Sequence, residues 1–278
     1  MTLFGAWVDS PPSEVLVPSW WAAYRELGFS SAAIMVESHD EGLDLRWSDD
    51  QLAHAGVLAR SADVELALTY WPEPNKAWLE AWERHAPAIA ATCGATAVDA
   101  DAEGNWSAKR LEGFADLGEA AVELNRIFRG WARTLDVRLD FTTYTYHNEN
   151  GPRARLAPLA DRVYGQAYAV RHRKDGTGQP FLVDWDDALG PSLMPKVTLE
   201  RSLLVPGVGS PSGPLLCCGL AAYDQTWPDH TPVEAMKTAL DSALTFDPFE
   251  IRWWSTKHIL GPRANGYAAA FFRSLLPR

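Results

Sequence analysis

Short runs of β-branched and apolar residues alternate along this chain with longer stretches in which apolar residues recur at helical spacing. The strand-like runs fall at 3–9, 32–37, 64–71, 95–101, 136–143, 162–169, 215–221 and 250–255, and most end in polar or aromatic residues. The stretches between them carry helix signals. Ser48 with Gln51 forms a capping box ahead of "LAHAGVLAR", and Thr231 with Glu234 forms another, with Pro232 at the first helical position. The segment "SWWAAYRELGF" predicts a helix that stops at Gly28, the longest helix is predicted over 108–134, and the last over 264–276. Eight strand–helix units in 278 residues predict an α/β fold, a single (β/α)8 TIM-barrel domain spanning 1–278. An open doubly wound sheet is the alternative. Its glycine-rich first turn is missing, because the first strand runs into "DSPP", and the chain has no GxGxxG, GxxxxGK[ST], HExxH or GxSxG. The stretch "PGVGSPSGP" reads as a loop before the seventh strand, and no shift in composition marks a second domain.

One strand breaks the usual pattern. In "TAVDADAEGNW", Asp99, Asp101 and Glu103 stand at i, i+2 and i+4, which on a strand puts all three on one face about 6.6 Å apart per step. Val98, Ala100 and Ala102 take the other face, where small apolar residues suit packing under helices. In a barrel the acids then point inward at the C-terminal mouth, where barrel enzymes place their chemistry. Three readings compete. An EF-hand loop matches Asp99, Asp101, Glu103 and Gly104, but its twelfth position, which should be glutamate, is Arg110. A solvated strand end, with acids drawn to the next helix N-terminus, explains one acid better than three in line. In the third reading the column is catalytic: mutual repulsion raises at least one pKa, Glu103 is the general acid, Asp101 shares and orients its proton, and Asp99, the deepest, tunes Asp101.

Charge narrows the class further. The net charge is −11 and no basic run of five or more residues occurs, so neither nucleic acid nor an anionic membrane surface is an expected partner. No segment approaches a membrane span, and the opening "MTLFGAWVDSPP" lacks the basic and long apolar regions of a signal peptide. The three cysteines form neither a disulfide framework nor a zinc motif; Cys217 and Cys218 are expected on opposite faces of one strand. The histidines show no ligand spacing, so no metal or cofactor is expected. The chain is rich in tryptophan, with 13 residues. Trp71, Trp106, Trp185, Trp227, Trp254, Tyr144, Tyr146 and Tyr223 fall at or just beyond strand ends, where flat rings suit the C–H faces of sugars. Trp7, Trp20, Trp78, Trp82 and Trp131 sit within strands or at helical spacing and read as packing residues, and 147–150 reads as a polar loop.

These residues resemble glycoside hydrolase family 18, the chitinases and endo-β-N-acetylglucosaminidases. The family's fourth strand carries D-G-x-D-x-D-x-E, whose last three acids correspond to Asp99, Asp101 and Glu103; the first Asp and the Gly are here Thr96 and Ala97. "VYGQAYAV" matches the family's Gln-x-Tyr on strand six with Gln166 and Tyr168, "CCGLAAYDQTW" follows the seventh strand, and "RWWSTKH" places Trp254 at the sugar-floor position of the eighth. The agreement runs from about residue 90 to the end. The S-x-G-G of strand three is absent, with "LALTYWPEP" in its place. The resemblance implies substrate-assisted hydrolysis, in which the sugar's 2-acetamido oxygen attacks and no second carboxylate is needed. It gives Asp101 the acetamido N–H, Tyr168 a hydrogen bond to its carbonyl and Gln166 a positioning role. The implied partner is an N-acetylglucosamine-containing glycan such as chitin or peptidoglycan. A wall-degrading enzyme made in the cytoplasm and delivered by lysis or an injection device fits the absence of a signal peptide. Asp9, Glu37 and Asp184 also stand near strand ends, and Asp9 with Asp101 and Glu103 imitates the family 25 lysozymes. A non-catalytic glycan-binding barrel is the remaining alternative.

Overall fold

The computed structural model describes residues 2–36, 46–102, 106, 108–144, 157–168, 170–172, 180–182, 192–222, 230–260, 264 and 266–276, the side chains of 144, 170–172 and 180–182 excepted. Eight parallel strands close into a barrel: β1 (Leu3–Val8), β2 (Ser31–Met35), β3 (Glu65–Tyr70), β4 (Ala97–Asp101), β5 (Arg138–Tyr144), β6 (Arg162–Gln166), β9 (Leu215–Ala221) and β10 (Glu250–Trp254). All eight are the strands expected from the apolar runs. Between β6 and β9 the chain adds a small antiparallel pair, β7 (Val170–His172) and β8 (Pro180–Leu182), outside the barrel. Parallel pairing of β1 with β10, from Leu3↔Glu250 to Ala6↔Trp253, closes the ring.

The helices lie around it: α1 (Pro12–Val15), α2 (Pro18–Glu26), α3 (Asp49–Ser61), α4 (Lys76–Cys93), α5 (Leu117–Leu135), α6 (Leu193–Leu203), α7 (Pro232–Leu244), α8 (Thr256–Ile259) and α9 (Gly266–Leu275). Both expected capping boxes are formed, at Ser48 for α3 and Thr231 for α7. Gly28 adopts φ 87° just past α2, a conformation that ends the helix and costs glycine little. The longest helix starts later than the sequence pattern predicts. Asp116 caps α5 by accepting from the Glu119 amide, and Gly113 at φ 76° breaks the turns before it.

Strand parity separates two cores. Val98, Ala100, Cys218, Ile251 and Trp253 face the helices in the outer layer, with Trp21, Trp82, Phe128 and Phe272 packed over them. Inside the barrel Trp7 and Tyr164 are ringed by Ala33, Ala67, Ala97 and Cys217. Small neighbours are required because one indole fills the lumen: a Cβ at Gly219 would meet the Trp7 ring at 3.0 Å. Cys217 and Cys218 thus do face opposite sides, and both are buried and free.

Candidate functional site at the barrel mouth

β4 carries Asp99 and Asp101 into the barrel, where both are fully buried. They point inward because Val98, Ala100 and Ala102 on the alternate face belong to the outer core. A solvated strand end is thus corrected for Asp99 and Asp101; Glu103 and Gly104, on which the EF-hand reading also rests, lie outside the described residues. Asp99 sits between two hydroxyls: Thr69 of β3 donates to its Oδ2 at 3.0 Å and Thr142 of β5 to its Oδ1 at 2.9 Å. Arg252 Nη1 stands 3.4 Å from Oδ2. The family's S-x-G-G is missing from β3, yet a hydroxyl from that strand still holds Asp99.

Burial pushes the Asp99 carboxyl above the usual carboxylate range, and Arg252, Thr142 and Thr69 pull it partly back. For Asp99 the cause is burial, and the other two acids of the column are not among the groups that shift it. Nearer the mouth, Gln166 Nε2 donates to Asp101 Oδ1 at 3.2 Å, joining side chains 65 residues apart. Tyr168 follows two residues later, also buried. Tyr144 ends β5 in register with Gln166. Glu103, Tyr223 and Trp227 lie outside the described residues, as do Glu37, Tyr146, residues 147–150, Asp184 and Trp185.

The aromatic candidates divide. Trp254 is only partly buried; its ring packs on Trp7 at 5.9 Å between centroids and also lines a pocket of about 400 Å³ with Asp9, Pro11, Glu14, Arg46, Lys257 and Leu260. The peptide bond after it is cis. Trp71 is half-buried just beyond β3. Trp106 is 2 % exposed, lies in the outer core and donates its indole N–H to Pro72 O at 2.7 Å. Its packing leaves no open ring face, so the expectation of sugar contact is corrected for this residue. Asp9 is engaged: Lys257 Nζ stands 2.6 Å from its Oδ2, and Arg46 Nη2 donates to its backbone oxygen at 2.9 Å.

Below the mouth is a buried ionic cluster that the sequence reading missed. Glu250 receives Arg162 Nη1 at 2.7 Å, the Tyr164 hydroxyl at 2.8 Å and the Ser31 hydroxyl. Burial alone would raise its carboxyl, but Arg252 and Arg162 outweigh that and hold it below the usual range. Asp140 is pushed up to about 6, first by burial, against Arg252 and Arg138, with the Asp99 charge adding to the rise. The signal was present: "EIRWW", "RLDFTTY" and "RVYGQ" alternate polar and apolar residues as "AVDAD" does. Among the described residues no three His, Cys, Asp or Glu side chains are grouped to hold a metal ion. No described helix is long and apolar enough to cross a membrane.

No protein-family model matches the chain, and no curated protein matches it in sequence. Solved structures do. A chitinase from Rhizomucor miehei superposes with TM-score 0.62 at 12 % identity, over 97 % of this chain and 98 % of that one. The spore cortex-lytic enzyme SleL of Bacillus megaterium QM B1551 gives 0.59 at 10 %, over 98 % and 73 %. A xylanase-α-amylase inhibitor protein, solved with trehalose, gives 0.59 at 10 %, over 98 % and 97 %. At such identities the likeness establishes the class, a (β/α)8 barrel, and leaves the activity to the residues at its mouth.

Proposed function

We propose that this chain, read as one barrel domain over 1–278, is a glycosidase that cuts β-linked N-acetylhexosamine glycans such as peptidoglycan or chitin. One contact carries the reading: Gln166 Nε2 on Asp101 Oδ1 at 3.2 Å, inside the mouth, with Tyr168 two residues beyond the end of β6. In this reading Glu103, two residues beyond Asp101, is the general acid that protonates the departing sugar oxygen. Asp101 turns to hold the acetamido N–H, Tyr168 donates to the acetamido carbonyl, and Gln166 keeps Asp101 in place. The acetamido oxygen is the nucleophile, and water then opens the cyclic intermediate with Glu103 as base. Trp254, and with it Trp71, Tyr144, Tyr223 and Trp227, gives the sugar rings flat apolar surfaces.

Two observations weigh on the alternatives. Asp9, which a family-25-like muramidase would use, is ion-paired to Lys257 at 2.6 Å, so substrate assistance is the better account. A non-catalytic glycan-binding barrel is favoured by the inhibitor protein of the same fold solved with trehalose. The presence of a chitinase and a spore cortex-lytic enzyme among proteins of this fold supports a wall or chitin glycan as substrate.

The test is Glu103→Gln against wild type on chitin oligomers and purified peptidoglycan, with products weighed by mass spectrometry. The expected outcome is cleavage by wild type and a loss of about 10²-fold or more in the variant. Equal cleavage by both removes Glu103 from the mechanism. Binding by both without any product selects the non-catalytic reading. Muropeptides with a reducing N-acetylglucosamine end identify a glucosaminidase; a reducing N-acetylmuramic end identifies a muramidase.

A further inference from the structure

Inside the barrel, beneath the acid column, one guanidinium serves three carboxylates. Arg252 is fully buried, with Nε 3.1 Å from Glu250 Oε1, Nη1 3.4 Å from Asp99 Oδ2 and Nη2 3.3 Å from Asp140 Oδ2. Its orientation is fixed from both sides. The guanidinium carbon lies 3.9 Å from the centre of the Tyr164 ring and 5.4 Å from that of Trp7, and Nη2 donates to the Tyr164 hydroxyl at 2.8 Å.

Glu250 does not depend on this cation alone, since Arg162, Tyr164 and Ser31 also hold it. Asp99 and Asp140 share the two terminal nitrogens of the Arg252 guanidinium, while its Nε stays on Glu250. Asp99 is otherwise faced by the uncharged Thr69 and Thr142. Asp140 is otherwise faced by Arg138, 3.7 Å away, which is itself shared with Glu65 at 3.2 Å. Arg162 and the thiol of Cys217 complete the surroundings of the cluster. Two enclosed cations, Arg252 and Arg162, thus meet three enclosed acids. A buried carboxylate without a counter-charge is costly, so the two acids that share Arg252 compete for its charge.

We propose that Arg252 is a positioning residue of the candidate site: as the counter-ion common to both acids, it lets Asp140, which lies outside the acid column, govern the charge on Asp99. When Asp140 is neutral, Asp99 keeps the whole guanidinium and ionises readily. When Asp140 is charged, it draws on the same guanidinium, and Asp99 retains its proton. Burial raises Asp140 to about 6, so its charge changes a little below neutral pH. What Asp99 then does rests on the glycosidase reading; the coupling of Asp140 to Asp99 does not.

The test is a carboxyl titration of the intact protein by ¹³C NMR with labelled aspartate, the Asp99 signal being assigned by its absence in Asp99→Asn. Asp140→Asn is expected to lower the Asp99 midpoint by about one pH unit or more. In an Arg252→Lys background, where the shared fork is lost, the same substitution is expected to shift it by less than half as much. An unchanged Asp99 midpoint in folded Asp140→Asn overturns the proposal, and so does a full shift in the Arg252→Lys background. If Asp140→Asn does not fold, the wild-type curve decides: Asp99 must show a second inflection at the midpoint of Asp140, and a single inflection overturns the coupling. On an active enzyme, Asp140→Asn should also move the acid limb of kcat downward in pH while KM holds. A wild type that cleaves no glycan refutes the glycosidase reading, and the NMR titration still decides the coupling.

Discussion

At the scale of single residues, this barrel places charge where a (β/α)8 core is ordinarily apolar. The acids there pull stability in opposite directions with pH. Asp140 has its carboxyl raised by folding, from the usual 3.8 to about 6, so its neutral form is the favoured one. Its contribution is complete below the unfolded value and is lost as pH rises through about 6. Glu250 is lowered, so its contribution is present at neutral pH and is lost on acidification. At about 1.4 kcal/mol per pH unit, Asp140→Asn should gain on wild type by about 2 kcal/mol between pH 4.5 and 7.5. Urea unfolding of both proteins at the two pH values checks this, and a difference that is constant or falls with pH contradicts the assignment. At the mouth, Asp101→Asn keeps the shape and replaces one oxygen of the carboxyl group that Gln166 meets by an amide nitrogen. On the proposed glycosidase reading, the expected result is a loss of about 10²–10⁴ in kcat on a glycan substrate with KM little changed. A purely structural Asp101 would instead show a lowered melting temperature with kcat retained.

At the scale of elements, helices and strands follow local rules closely, and the exceptions have nameable causes. The capping boxes at Ser48 and Thr231 formed where their spacing predicted them. The start of α5 moved from 108 to Leu117 because Gly113 and the Asp116 cap outweigh the apolar pattern of that stretch. Contact between neighbouring helices is less visible in sequence. Gly56 lies inside α3, where alanine should be the better helix former by about 1 kcal/mol. A Cβ there would stand 1.9 Å from the Cys93 carbonyl oxygen at the end of α4. Gly56→Ala is therefore expected to destabilise the protein by about 1–3 kcal/mol, despite its propensity. Thermal denaturation checks this; a stabilised variant would mean that α3 and α4 can move apart freely.

At the scale of the whole molecule, the barrel exists only once its two ends meet. β1 and β10 pair, and α9 covers the seam, with Phe272 packed on Trp253 of β10 and on Phe29 just before β2. Phe272→Ala should cost about 3–5 kcal/mol, read as a lower urea midpoint, because it opens a cavity against the closing strand. A loss below 1 kcal/mol would show that closure does not depend on α9. The eight barrel strands and both capping boxes were legible in the sequence, since each depends on residues close in the chain, while the β7–β8 pair was not. The acid column was legible for the same reason: period-two alternation within "TAVDADAEGNW" alone puts Asp99 and Asp101 on one face. What faces them was decided only by the tertiary structure. Thr69, Thr142, Gln166 and Arg252 come from four other strands, up to 153 residues away, and only the closed ring brings them within hydrogen-bond reach. Local periodicity tells which way a side chain points; the shear and closure of the barrel decide what it meets there.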